Sequence, residues 1–216
     1  MTKLNEEREI RLEKNRLEAL TDGIFAFAMT LLVTSLILPR SAFVTQNSGQ
    51  ALLSLIPDFY HYIIAFFVLA AFWTAHHIQF SHLRFLDRNF LSLSIIGLFF
   101  VTLIPFTTSF IGDYGDDPGA TITFEASLLI LGLIFALQWF YATRNHRLVA
   151  EDLPEDRIRY GLVRNLVVPA VSLVAIGATL LGMGSSTMLY MLLPLVSYGV
   201  ERSMMPRSGK KAILQA

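Results

Sequence analysis

"RLEALTDGIFAFAMTLLVTSLILP", residues 16–39, decides how this chain is read. It opens on a charged turn, becomes apolar after Asp22 and stops at Pro39. A helix crossing the roughly 30 Å hydrocarbon core of a bilayer needs about 20 apolar residues, and the stretch is that long. Two features need a reason. A carboxylate, Asp22, stands at the edge of the segment, and three hydroxyls, Thr30, Thr34 and Ser35, interrupt it.

The whole chain repeats this alternation. Of its 216 residues 54% are apolar and 16% charged, against about 25% charged in an average soluble domain. Long apolar blocks separate short charged ones, which predicts an all-α, six-span transmembrane bundle forming one domain over 1–216. The spans are expected near 18–38, 53–73, 90–111, 121–143, 162–183 and 187–204, the last being the shortest. The first 16 residues mix acidic and basic groups without a small-residue cleavage site, so no cleaved leader is expected. There is no cysteine, which leaves out disulfides and thiol chemistry.

Basic residues orient the bundle. Of the 17 Lys and Arg residues, all but Arg40 fall on the N-terminal segment, the second and fourth connections or the tail. The positive-inside rule then places both termini in the cytoplasm of a cell whose plasma membrane holds the protein. The third connection, "GDYGDDPG", is acidic and turn-rich, as an outer loop should be.

Residues 4–22 alternate apolar and charged groups and predict an amphipathic helix at the inner interface, running into the first span without a breaker. In the second span Pro57 and Asp58 suit a helix N-terminus, and Trp73 suits the inner headgroup level. "TAHHIQFSH" follows it. Pro105 is a possible kink in the third span, and Gly132, Gly177, Gly182 and Gly184 are expected where helices pack closely.

On a helix turning about 100° per residue, Leu20, Gly23, Phe27, Leu31, Thr34 and Leu38 fall in one stripe along the first span. The stripe is apolar with one hydroxyl toward its outer end. Lipid, a partner helix or a pore would each accept such a face, and periodicity alone does not choose.

The motifs do choose. Arg16, Leu20, Thr21 and Asp22, followed by "GIFAFAMTLLV", closely resemble the R-x-x-x-F-S-D signature of the transmembrane protein 175 family of potassium channels. "WTAHHIQF" at the end of the second span is similar to the family's W-x-x-H-H-x-x-F. "LIPFTTSFIGDY" in the third is similar to its P-F-x-x-x-x-x-G-x-Y. The three motifs occur in order over roughly the first half of the chain. Leu20 and Thr21 depart from the family's aromatic residue and Ser but keep their chemical character.

The resemblance implies a channel in which the first span lines a central pore. Animal members carry two six-span repeats and work as dimers, so a single six-span chain implies a homotetramer. The family's constriction lies at the fifth, ninth and twelfth positions after the motif aspartate, here Phe27, Leu31 and Thr34. These belong to the stripe found by periodicity. No T-V-G-Y-G carbonyl filter is present. The implied function is a potassium-permeable channel with modest preference for potassium over sodium. Its partners are the bilayer, permeant monovalent cations and its own copies, with no nucleic acid and no cofactor beyond permeant potassium.

Asp22 has several readings. A carboxylate in hydrocarbon costs about 2.5–3.5 kcal/mol on insertion scales and usually finds partners. Arg16, Thr21, Trp73, His76 and His77 are the candidates for a polar clamp that supports the pore helix. Helix N-capping by Thr21 or Asp22 is a second reading, and direct contact of Asp22 with ions a third. Thr30 and Ser35 are expected to bond to helix backbone. An enzyme is not expected: His76, His77 and His82 do not share a helix face at metal-ligand spacing, and H-E-x-x-H is absent. The alternative function is a proton- or cation-coupled secondary transporter, although no internal repeat or pair of broken helices points to one.

Overall fold

A computed structural model describes residues 2–36, 47–115 and 117–204, with side chains from Lys14 onward. Leu38, Arg40 and the basic tail residues Arg207, Lys210 and Lys211 lie outside the described residues. So do the side chains of Lys3, Arg8 and Arg11.

The described residues are helical, apart from turns and one isolated bridge between Leu83 and Val149. Helix α1 runs Thr2–Leu31 and tightens into a 3-10 helix over Leu32–Ser35. A short α2, Ser48–Ser54, leads into α3, Ile56–His82. Helices α4, Arg88–Tyr114, and α5, Pro118–Thr143, follow. After a 3-10 turn at Arg144–His146 come α6, Glu155–Leu180, a second 3-10 helix, Ser186–Leu192, and α7, Leu193–Met204.

Among the described residues five helices are long and apolar enough to cross a membrane: Lys14–Ser35, Ile56–His82, Arg88–Tyr114, Pro118–His146 and Glu155–Leu180. The chain is a multi-pass membrane protein. The sixth expected span, 187–204, is divided between the 3-10 helix Ser186–Leu192 and the 12-residue α7. The helix expected over 4–22 runs into the first span without a break, as the sequence suggests. Nothing between Leu4 and Leu31 breaks a helix, and Thr2–Leu31 is one element. At 1.5 Å per residue it extends about 45 Å, more than the hydrocarbon core needs.

The ends of the spans follow sequence logic. Asp87 accepts the Phe90 N–H at 2.8 Å and caps α4. Asp117 accepts the Ala120 N–H at 3.0 Å and caps α5, where Pro118 supplies the first turn. Such caps satisfy amide groups that have no intrahelical partner.

Helix α5 sits between α4 and α6, while α1 packs against α3 and α4, and α7 against α6. The main core joins Phe25, Ala28 and Leu32 of α1 and its 3-10 extension to Leu69 and Phe72 of α3, Val101 of α4, and Phe124 and Phe135 of α5. A second cluster closes the other end of α1: Leu17 packs with Phe80, Phe90, Ala142 and Leu148. There Lys14 donates to the Leu83 carbonyl at 2.8 Å.

Lipid tails are as apolar as the side chains they would replace, so helices in a bilayer associate through close packing. Gly132 shows this. A Cβ there would lie 2.6 Å from Cδ of Pro169 on α6. The other three glycines expected at helix contacts behave differently. A Cβ on Gly177, Gly182 or Gly184 would meet nothing within 4 Å, and Gly182 serves a turn at φ +73°. Gly161 is the unanticipated close contact, since a Cβ there would lie 2.5 Å from the Trp139 indole.

Candidate functional site

One face of α1 is packed and the other is bare. Thr21, Phe25, Ala28 and Leu32 are buried against the chain's own helices. On the opposite side Leu20, Gly23, Phe27 and Thr34 are exposed, Phe27 to 63%, and Leu31 is half-buried. Thus the described part of the stripe drawn from periodicity is the side of α1 that the described residues leave uncovered.

The change to 3-10 geometry refines the stripe. In a 3-10 helix, residues three apart eclipse one another. Thr34 therefore stacks directly over Leu31, whereas α-helical geometry would rotate it aside. The three hydroxyls of the span all bond backward: Thr30 to the Phe27 carbonyl at 2.8 Å, Thr34 to Leu31 at 2.6 Å and Ser35 to Leu32 at 2.8 Å. Each spends its hydrogen on its own helix and keeps lone pairs for an approaching cation or donor.

Asp22 has a defined partner. The Trp73 indole Nε1 donates to its Oδ1 at 2.8 Å. Four residues away on each helix, Glu18 and His77 approach to 3.6 Å, and the His77 ring stacks on Trp73 at 6.0 Å. Residues four apart lie on one helix face, so Glu18 and Asp22 of α1 meet Trp73 and His77 of α3 as two rungs of a ladder.

The other candidates stand around this ladder in different ways. His76 is buried among aromatic rings, 4.1 Å from Phe80 and 5.7 Å from Phe135 between centroids. Thr21 is fully buried and donates to the Leu17 carbonyl at 2.9 Å. It does not cap a helix, and neither does Asp22, because α1 passes through both without a terminus. Arg16 is exposed, and among the described residues no ion pair joins it to Asp22.

Three polar groups escaped the sequence reading. Glu18 carried a signal, its i, i+4 spacing from Asp22. Glu125 is a lone acid inside an apolar span, which by itself marks a position worth examining. It is fully buried and accepts from Ser186 at 2.6 Å and Thr179 at 3.1 Å, tying the second 3-10 helix to α5 and α6. Asp87, besides capping α4, accepts the Tyr141 hydroxyl at 2.6 Å and lies 3.3 Å from Nε of Arg147. Burial raises its carboxyl pKa, but the bonds from Tyr141 and the Phe90 N–H and the charge of Arg147 outweigh this and hold it below its ordinary value.

Residues 16–105, which contain the second half of α1, the ladder and most of α4, match the family model described as the endosomal/lysosomal potassium channel TMEM175. A potassium channel of Chamaesiphon minutus is 30% identical over 175 residues, covering 76% of this chain and 86% of that protein. The chain belongs to the TMEM175 family. The TMEM175 fold is also found by shape. The crystal structure of a lysosomal potassium-selective channel TMEM175 homologue from the same organism superposes with a TM-score of 0.73 at 23% identity, over 90% of this chain and 99% of that one. Human TMEM175, described as an endosomal/lysosomal proton channel, is 26% identical over 187 residues, and the match covers 36% of its length. TMEM175 proteins are ion channels and not enzymes, which agrees with the absence of H-E-x-x-H from the sequence.

Proposed function

We propose that the chain is one subunit of a homotetrameric, potassium-permeable channel in the cytoplasmic membrane, with residues 1–216 acting as a single channel domain. Six segments cross the bilayer with both termini cytoplasmic. The last crossing combines the 3-10 helix Ser186–Leu192 with α7, Leu193–Met204. At about 2.0 and 1.5 Å per residue these add roughly 14 and 18 Å, enough for a core about 30 Å thick.

The observation that carries this reading is the bare face of α1. Four copies around an axis would bring Phe27, Leu31 and Thr34 together as stacked rings, Leu31 forming the narrowest. An apolar ring obstructs ions by dewetting even where it is not sterically closed. It offers no ligands to replace a hydration shell, so selection rests on the cost of dehydration, which is lower for potassium than for sodium, and on the free lone pairs of Thr34. The resulting preference is modest. Thr21, Asp22, Trp73, His76 and His77 hold the pore helix against α3, and Arg16, exposed on its own chain, is open to a neighbouring subunit. The Chamaesiphon relative's description supports potassium as the permeant ion, and the human relative's makes protons the second ion to measure.

The test of assembly is native mass measurement in detergent, where a tetramer is expected and a stable monomer or dimer as the only species overturns the proposal. In planar bilayers, unitary currents identify a channel. Saturable uptake without unitary currents identifies a coupled transporter instead.

A further inference from the structure

A groove with a volume of about 590 Å³ opens between α3, α6 and the terminal helices, away from the bare face of α1. Its walls are apolar, with Phe67 and Ala71 from α3, Val168 from α6 and Pro194 from α7. From Ile63 to Ala75 its α3 wall is about 18 Å long at 1.5 Å per residue, close to the depth of one leaflet's hydrocarbon.

One end of this groove is polar. Arg164 and Asn165 of α6 line it, with Thr74 and Ala75 of α3 also in the lining. Arg164 is half-buried, and among the described residues no carboxylate lies within ion-pair distance of it. Asn165 is only 7% exposed, yet its side-chain amide bonds to no described residue. The Asn165 amide therefore opens onto the groove, and a cation facing apolar walls is costly without a counter-charge. The basic residues of the sequence place this end toward the cytoplasm, where an arginine stem reaches the headgroup level by snorkelling.

We infer that this groove is a binding site for an anionic phospholipid of the inner leaflet, one acyl chain lying along Phe67, Ala71 and Val168 and the phosphate held by Arg164 and Asn165. The match is of charge and of shape. The guanidinium fork suits a phosphodiester, the Asn165 amide supplies a further donor, and the apolar walls suit a chain one leaflet deep. A zwitterionic headgroup carries the same phosphate but brings its own cation beside Arg164, so a net anionic lipid is preferred.

The chain is reconstituted into phosphatidylcholine vesicles containing a minority of phosphatidylglycerol, then re-extracted, and its retained lipid is weighed by native mass spectrometry. Wild type should retain phosphatidylglycerol about tenfold beyond its share of the vesicle. Arg164→Gln should cut that enrichment about fivefold, Arg164→Lys, which keeps the charge but not the fork, should retain only part of it, and Ala71→Phe should expel both lipids. No enrichment by wild type, or enrichment indifferent to Arg164→Gln, overturns the assignment. Because the chain has no cysteine, Ala71→Cys reports a rival occupant. Oxidative cross-linking of two copies through it would assign the groove to a neighbouring subunit and overturn the lipid. A wild-type measurement stands apart from any variant's folding: phosphatidylglycerol should raise the unfolding temperature in micelles more than phosphatidylcholine does, and equal effects contradict the proposal.

Discussion

The indole N–H of Trp73 donates to the carboxylate of Asp22 at 2.8 Å, joining α1 to α3 beside the bare face. Hydrogen bonds to a charged acceptor are worth about 1.5–3 kcal/mol net, and solvent exposure lowers the worth of this one. In the proposed channel this bond, with the weaker Glu18–His77 rung beside it, would set the rotation of α1 and hence which residues its uncovered side presents.

Asp22→Ala should therefore lower stability by about 0.5–1.5 kcal/mol, the net worth of a single exposed hydrogen bond, and reduce the yield of assembled protein. Trp73→Phe should cost a similar amount, and the double variant little more than either, because both remove the same bond. Thermal unfolding and the oligomeric fraction in size-exclusion chromatography measure this. Additive losses, or wild-type assembly and currents from both Asp22→Ala and Asp22→Asn, would show that the bond does not hold the helix.

Gly132→Ala should destabilise the bundle by about 1–3 kcal/mol, because its methyl group would collide with the Pro169 ring. Gly177→Ala, which meets nothing within 4 Å, should be neutral or gain up to about 1 kcal/mol from helix propensity. Unfolding of the two variants side by side checks the contrast, and equal losses would contradict the packing of α5 on α6.

Acid should loosen the connection between α3 and α4. The Asp87 carboxyl titrates below its ordinary value of 3.8, so its native contacts contribute stability above that value. The contribution is lost as pH falls through the depressed native pKa. Asp87→Ala should cost about 1 kcal/mol near neutral pH, the worth of a helix cap, and less at a pH below the native pKa. Unfolding of wild type and variant at neutral and strongly acidic pH tests the sign. A difference that grows in acid would contradict it.

The course of the first span was legible because its signals are local. Asp22 announced a partner by the cost of a bare carboxylate at the membrane edge, and Trp73 was among the candidates. Helix rotation decides which candidate is met, so Arg16 and Trp73 could not be ranked from spacing alone, and Glu18 was missed. The 3-10 turn at Leu32–Ser35 left no trace, since no glycine or proline marks it. Gly132 and Gly177 look alike in sequence, and only the position of Pro169 separates them. The last segment was read as a span by its apolar content. Its 3-10 start, where Ser186 donates to Glu125 across 61 residues of chain, depends on a tertiary contact that the local sequence does not display.

Leu31 is the residue on which the account of permeation rests, and recordings in planar bilayers under a potassium–sodium gradient test it most directly. Leu31→Ala should widen and hydrate the narrowest ring, raising conductance and moving the reversal potential toward that of a non-selective pore. Leu31→Asn should do the same by wetting, while Val33→Ala, one turn-position off the stripe, should change permeation less. If wild type, Leu31→Ala and Leu31→Asn share one conductance and one reversal potential, Leu31 does not line the pore, and the bare face of α1 faces something other than the ion path.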